Sequence, residues 1–364
     1  MRIALLSPGS SIHTRRWANG LSAAGHEVYV LSVNPFQNGY NPAVTCERLP
    51  FCAPAGYLLN RSALRRTIDR IAPKVVNVHY ASSNAFLARA LLPMPLLVSV
   101  WGSDVFEFPE RSILHRRLLV GNLAKATRIS STSVTMAARV QRILPGAAVD
   151  VVPFGVDTEL FAPRPARPPR DTITIGTIKG LDPRYGIDVL MRAFKQTREE
   201  IGSAPRLRLR IIGDGPQRDD LRALARRLQI DDVTSFEGHI NHDAVPAALR
   251  EIDIFANLSR SESFGVSILE AGACGVPVVV SDAPGPAEVT RHGETGYITP
   301  IDDAKAVARA FASLINSPEK RAIMGSAGRA LVIQEYSWNR SVKLMQASYT
   351  NTIADYANSC QRFG

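Results

Sequence analysis

The chain has 364 residues, 45% hydrophobic and 21% charged, which is too long for one ordinary core and suits two domains of roughly 150–200 residues each. No stretch approaches the ~20 consecutive apolar residues of a membrane span. The four cysteines, Cys46, Cys52, Cys274 and Cys360, lack zinc spacing or a dense disulfide framework, so a reducing cytoplasm is the expected compartment. The net charge of +10 is uneven: residues 1–160 hold 17 Lys+Arg against 9 Asp+Glu, and the remainder 26 against 24.

In chain order, MRIALLS at the N-terminus is too short for a signal peptide and reads as a first strand over 2–7. The apolar runs EVYVLSV (27–33), VVNVH (75–79), PLLVSVW (95–101), ATRISS (126–131) and VDVVP (149–153) predict further strands. Helical patterns lie between them. TRRWANGLSAAG (14–25) ends on a glycine suited to a helix C-terminus. RSALRRTIDRI (61–71) and RSILHRR (111–117) combine helical apolar spacing with clustered arginines. Such faces are either simply solvated or suited to an anionic membrane or a phosphate-bearing partner. Nucleic acid is not the expected partner, because charge alone is present without a recognition motif.

PRPARPPR (163–170) carries no periodicity and reads as a stiff linker. The pattern then restarts with strands TITIGTI (172–178), LRLRIIG (207–213), VTSFEG (233–238), IDIFANL (252–258), PVVVS (277–281) and GYITP (296–300). Helices are expected near 187–200, 217–229, 243–250 and 264–275, with a last one over 338–358. Alternation of this kind specifies α/β domains with parallel sheets. The expected organisation is a first Rossmann-like domain over 1–162, a linker over 163–171, a second over 172–337, and a C-terminal helix over 338–364 returning to the first. Two such domains would bind ligands in a cleft at the carboxyl ends of their strands.

The segment SESFGVSILEAGACGVPVVVSD (261–282) places Glu262 just before a predicted helix and Glu270 about two turns inside it. A helix start near Phe264, Gly265 and Val266 would offer unpaired N–H groups to a phosphorylated ligand. Glu262 and Glu270 would then meet hydroxyls on either side of the phosphate, as in a sugar–diphosphate–ribose. By itself the segment is equally a capped helix with unrelated carboxylates. Gly213, in IIGDGP, is at a strand-to-helix turn that either approaches a nucleotide or only reverses the chain.

This segment, followed by CGVPVVVSD and PAEVTRHGETGYITP, resembles the signature of retaining, nucleotide-sugar-dependent glycosyltransferases of family 4 (the bacterial-polysaccharide type of the group 1 glycosyltransferases), which have the GT-B fold. The resemblance extends through IGTIKGLDPRYGIDVLMRAF, RIIGDGPQRDDL and FEGHINHDAVPAALREIDIFANLSRSESFG, and in the first half through HTRRWANGLSAAGHEVYVLS, VNVHYASSNAFLA, SVWGSDVFEFP and VVPFGVDTELFAP. It implies that Glu262 meets the transferred hexose, Glu270 the nucleotide ribose, and Phe264, Gly265 and Val266 the diphosphate or sugar. Lys179 and Arg184 match its cationic pair, in exchanged order, and would neutralise the leaving diphosphate.

On the acceptor side the resemblance points to His13, His79, Trp101 and Asp104. Here Pro8-Gly9-Ser10-Ser11 replaces a Gly-Gly loop, and Trp101 stands where many relatives carry His. Trp101 either stacks on a sugar or packs in the core; His13 and His79 either touch substrate or make local hydrogen bonds; Asp104 either binds an acceptor hydroxyl or caps the next segment. The implied reaction needs no metal and no cofactor beyond a UDP- or GDP-linked sugar as substrate. The implied acceptor is a glycan, free or linked to polyprenyl diphosphate, reached from the cytoplasmic membrane face. A sugar-nucleotide epimerase or hydrolase and a non-catalytic sugar-nucleotide binder are the competing readings. A Rossmann oxidoreductase fits less well, since PGSSIH follows the first strand in place of G-x-G-x-x-G.

Overall fold

The computed structural model describes residues 1–164, 171–202 and 205–363, and the chain divides into two compact units, Met1–Pro153 with Arg340–Gly364, and Phe154–Asn339. The first unit is built on seven strands: β1 Arg2–Leu6, β2 Glu27–Ser32, β3 Thr45–Arg48, β4 Val75–His79, β5 Leu96–Val100, β6 Arg128–Ser131 and β7 Val149–Val151. They form one parallel sheet in the order β3-β2-β1-β4-β5-β6-β7. β1, β4 and β5 are almost wholly buried, which is why apolar residues dominate them. β3 (TCER) is a mostly exposed edge strand with no apolar run to announce it.

The second unit holds β8 Thr172–Ile178, β9 Arg206–Ile212, β10 Thr234–Gly238, β11 Ile254–Asn257, β12 Val278–Ser281 and β13 Gly296–Thr299. These are again parallel, ordered β10-β9-β8-β11-β12-β13. Helix Ile187–Ile201 lays Ile187, Leu190, Met191 and Phe194 into the core beneath this sheet, and Ala304–Ile315 adds Phe311 and Leu314. Each sheet therefore has one switch point, between β1 and β4 in the first unit and between β8 and β11 in the second. At such a point the loops leave in opposite directions and open a crevice at the strands' carboxyl ends.

The proline-rich 163–171 stretch was the expected boundary; residues 165–170 lie outside the described residues, and the compact second unit already begins at Phe154. The physical reason is hydrogen bonding. Val156 N–H donates to Tyr336 O, and Trp338 N–H donates to Val156 O. Arg250 binds the carbonyls of Leu160 and Ala162, and Arg329 those of Thr158 and Phe161. These bonds tie 154–162 to the second unit.

The last helix, Trp338–Phe363, joins the first unit from Arg340 onward. Its fully buried Tyr349 hydroxyl accepts from Asn77 Nδ2 at 2.9 Å, and Ser348 donates to Asp150 at 2.6 Å. Asn77 Oδ1 accepts from Ser99, which meets Ser130, so a buried polar row crosses β4, β5 and β6 beneath that helix. Among the described residues no helix is long and apolar enough to cross a membrane. Cys46, Cys52, Cys274 and Cys360 are free thiols.

Candidate active site

In the second unit the switch point gathers charge. Lys179 follows β8 directly, and Asn257 ends β11, with Ser259 and Glu262 in the loop beyond it. Lys179 Nζ lies 2.5 Å from Glu262 Oε1. The second oxygen, Glu262 Oε2, accepts from Ser259 Oγ at 2.8 Å and from Asn257 Nδ2 at 3.0 Å. Burial alone would raise the pKa of Glu262. The Lys179 charge and the hydrogen bonds from Lys179, Ser259 and Asn257 outweigh it and hold the carboxyl below the usual glutamate range. The ammonium also lies 4.8 Å from the centre of the Tyr185 ring.

The backbone makes this pair possible at two glycines. Gly213, at φ +135°, closes so near the first loop that a Cβ there would lie 1.8 Å from Lys179 O. Its N–H donates to Gly238 O, while Lys179 N–H donates to Ile212 O. Gly213 thus sets where Lys179 leaves the sheet. Gly285, in the short helix Pro284–Glu288, donates its N–H to Glu262 O, and a Cβ there would meet Phe264 N at 2.4 Å.

The helix behind Glu262 runs Val266–Ala273 and begins at Gly265, at φ +108°, which gives it no side-chain cap. It starts two residues later than the pattern suggested, so Glu270 lies little more than one turn in, not two. Phe264 is buried between the rings of Phe154 and Tyr336 at 6.3 and 6.1 Å. Ser267 Oγ, in the first turn, is buried with no hydrogen-bond partner among the described residues. An unpaired hydroxyl beside uncapped N–H groups suits an anion. Glu270 is 7% exposed and its Oε1 lies 3.2 Å from His242 Nε2. Phe161 packs on the other side of that imidazole, ring centres 5.6 Å apart.

Arg184 sits on the turn Pro183–Tyr185, half-exposed, with Nε bonded to Asp182 at 3.0 Å and its guanidinium 5.6 Å from the Tyr185 ring that Lys179 also faces. The turn itself is fixed by Arg260, whose N–H donates to Arg184 O and whose guanidinium binds Pro183 O and Asp188.

In the first unit the equivalent switch point is neutral. Ser7 follows β1 and His79 ends β4; Ser7 Oγ is 2.7 Å from His79 Nδ1 and 2.6 Å from Thr14 Oγ1. His79 is fully buried. That burial, with His13 nearby, pushes its pKa down to about 3, so the ring is neutral. Its Nε2 has no hydrogen-bond partner among the described residues. Trp101, 8% exposed just beyond β5, has its rings 4.3 Å from His79, 5.8 Å from His13 and 5.0 Å from Tyr80. His13, His79 and Trp101 therefore form one aromatic cluster. Asp104 is buried, and its oxygens accept from the N–H groups of Ala81, Trp101 and Gly102 at 2.8, 3.1 and 2.9 Å. Burial raises its pKa against those bonds. It braces the Trp101 loop.

Residues 161–331 match the family described as "Glycosyl transferases group 1", and residues 2–133 the one described as "Glycosyl transferase 4-like". The chain belongs to the group 1 glycosyltransferases. The "GDP-mannose-dependent alpha-(1-6)-phosphatidylinositol monomannoside mannosyltransferase" of Mycolicibacterium smegmatis is 33% identical over 209 residues, covering 53% of this chain and 54% of that protein. In that comparison the chain spans about half the length of its relative. The "N-acetyl-alpha-D-glucosaminyl L-malate synthase" of Bacillus anthracis is 24% identical over 371 residues, 96% of each chain. The solved structure of Anabaena HepE in complex with UDP superposes with a TM-score of 0.80 at 19% identity, covering 96% of this chain and 100% of that one. This likeness establishes the GT-B fold.

Most of the residues expected from sequence lie at or beside the two switch points. The motif reading passed over Asn257, Ser259, Ser267, His242 and Gly285. Asn257 and Ser259 had a signal, since short polar residues at the carboxyl end of an apolar strand face a crevice in such folds. His242 and Gly285 had none, because only the packing brings them to Glu270 and Phe264.

Proposed function

We propose that the protein is a retaining, metal-independent hexosyltransferase that moves a sugar from a nucleoside diphosphate to a glycan, free or lipid-linked. The observation that carries this is the Glu262 carboxylate, kept ionised by Lys179 beside the uncapped start of helix Val266–Ala273. On this reading the diphosphate meets the first-turn N–H groups and Ser267, and Lys179 stabilises the charge that grows on the leaving phosphate. Glu262 receives hydroxyls of the hexose and Glu270 those of the ribose, with His242 holding Glu270 in place. Arg184, beside Lys179 at the Tyr185 ring, is the second cation of this reading. The donor is a UDP- or GDP-sugar, in keeping with the GDP-mannose named for the mycobacterial relative and the UDP bound to HepE.

The acceptor is assigned to the His13–His79–Trp101 cluster, where a neutral imidazole and an indole face suit a sugar better than a phosphate. The basic first half, +8 over residues 1–160 by the counts given above, supports work at an anionic membrane face. Calorimetric titration with UDP-, GDP-, ADP- and CDP-sugars tests the donor assignment. Selective binding of one donor, weakened in Glu270→Ala, supports it; equal binding by that variant sinks it. Product analysis without acceptor then separates transfer from epimerisation, since an epimerase converts the donor to an isomer.

A further inference from the structure

The loop after β11 carries a charged side chain that the donor reading leaves unused. Arg260 lies one residue after Ser259 and two before Glu262. Its guanidinium donates in three directions: Nη2 to Asp188 Oδ2 at 3.0 Å, Nε to Asp302 Oδ1 at 2.7 Å, and Nη1 to Pro183 O. Its backbone N–H donates to Arg184 O at 2.7 Å. One residue thereby ties the loop after β11 to three other segments: the Pro183–Tyr185 turn, the first turn of helix Ile187–Ile201, and the loop after β13.

The two sides of this tie are held differently. The acidic loop is pinned to the sheet around it. Ser281, at the end of β12, donates to Ser259 O at 2.5 Å, and Gly285 N–H donates to Glu262 O at 3.1 Å. The cationic turn is more open, with the Arg184 side chain 46% exposed. Gly186, at φ +62°, presses the end of that turn against the acidic loop, since a Cβ there would lie 2.1 Å from Leu258 O. Arg260 bridges the same join. Lys179 and Arg184 lie 4.8 and 5.6 Å from the Tyr185 ring, so where the turn is held decides where the second cation stands.

The partners of Arg260 are two carboxylates and two backbone carbonyls of the protein itself. Its charge is therefore spent on holding loops, and the leaving phosphate falls to Lys179 and Arg184. A guanidinium suits this task because its rigid fork meets several acceptors at once, which a lysine ammonium on a flexible stem does not reproduce. We propose that Arg260 is a positioning residue for the donor's sugar-bearing phosphate: without touching that phosphate, it fixes the Pro183–Tyr185 turn so that Arg184 stands beside Lys179. The inference rests on the donor reading above and adds what holds its second cation in place.

The test is calorimetric titration of the full chain with UDP, GDP, UMP and GMP. The preference for a diphosphate over its monophosphate reports the terminal phosphate, the one that carries the sugar in a donor. Arg260→Lys and Arg260→Gln are expected to cut that preference about tenfold, the scale of one charge-assisted hydrogen bond, with monophosphate affinity kept within about twofold. Asp302→Asn removes one arm of the tie and keeps a residue type that accepts the φ of +62° there. It should shift the preference in the same direction by less, and it keeps the test open if Arg260→Gln does not fold. Arg184→Gln/Arg260→Gln should lose no more than Arg184→Gln alone, because both changes act on one contact. Equal loss of mono- and diphosphate affinity would leave Arg260 a purely structural part and overturn the inference. Additive losses in the double variant, or a wild-type preference that the Arg260 variants keep, would overturn the positioning role alone. Wild type that binds none of the four nucleotides fails the donor reading and takes this inference with it.

Discussion

The two switch points occupy the same place in the same kind of sheet, yet their chemistry is opposite. At β8/β11 a Lys–Glu pair leaves only 13% and 11% of its side-chain surface exposed, with Asn257 and Ser259 completing the carboxylate's hydrogen bonds. At β1/β4 a neutral imidazole lies under an indole, with Ser7 and Thr14 as its polar neighbours. A parallel sheet provides the crevice in both cases; the residues at the strand ends decide what enters it. Fixed charge suits a reaction that moves negative charge onto a phosphate, and neutral polarity with a flat apolar face suits a sugar.

If that contrast is right, the second unit's site is the one that fails when its charge balance is broken. Lys179→Met leaves the Glu262 carboxylate buried with hydrogen bonds but no cation. The variant should lose about 3–5 kcal/mol of stability in the second unit, as breaking a buried pair does. Chemical denaturation should show the loss, and Lys179→Met/Glu262→Gln should recover much of it. Glu262→Gln alone is expected to lower kcat by about 10²–10³, the scale for removing one preorganised electrostatic group, while the first unit melts unchanged. Equal damage from His79→Gln on kcat would erase the distinction drawn here.

Acid separates the units next. His79 titrates at about 3 in the fold and near 6.5 when unfolded, so below 6.5 the unfolded chain takes up a proton that the fold refuses. Stability of the first unit should fall by on the order of 1 kcal/mol per pH unit across that window. His79→Gln should flatten this slope; comparing it with wild type cancels the opposite trend from Asp104, whose raised pKa favours the fold as the pH drops. Glu262 has a folded pKa below its unfolded value, so its contribution is present above the usual glutamate range and is lost only as the pH falls through the depressed value. The first unit should therefore soften at a higher pH than the second, as read by fluorescence of Trp101 and Trp17 in the first unit. The smallest effect belongs to Tyr349→Phe, which removes the acceptor from Asn77. It should cost about 1–2 kcal/mol in the first unit and nothing in the second.

Much of this architecture is readable from the chain. TITIGTI and VVNVH coincide with β8 and β4 because runs rich in β-branched residues fit a largely buried, pleated strand. β3 was not readable, since an edge strand with exposed side chains carries no such constraint. Glu262, Glu270 and the Phe264-Gly265 mouth were visible because they lie within nine residues of one another. Lys179 and Arg184 looked alike in GTIKGLDPRYG, five residues apart, yet Lys179 pairs with Glu262 and Arg184 Nε with Asp182. Gly213 was legible as a turn; its part in placing Lys179 required the 1.8 Å approach to be seen.

The sequence by itself determined two α/β units, the order of their strands along the chain, and a phosphate-facing segment, because burial periodicity and helix-start chemistry are local and leave local signatures. The tertiary structure decided which residues became partners. It set Lys179 against Glu262, bonded Asp104 to the backbone and brought His242 to Glu270. Those choices depend on distances between segments up to 83 residues apart, and a linear pattern carries no record of them until the sheets have formed.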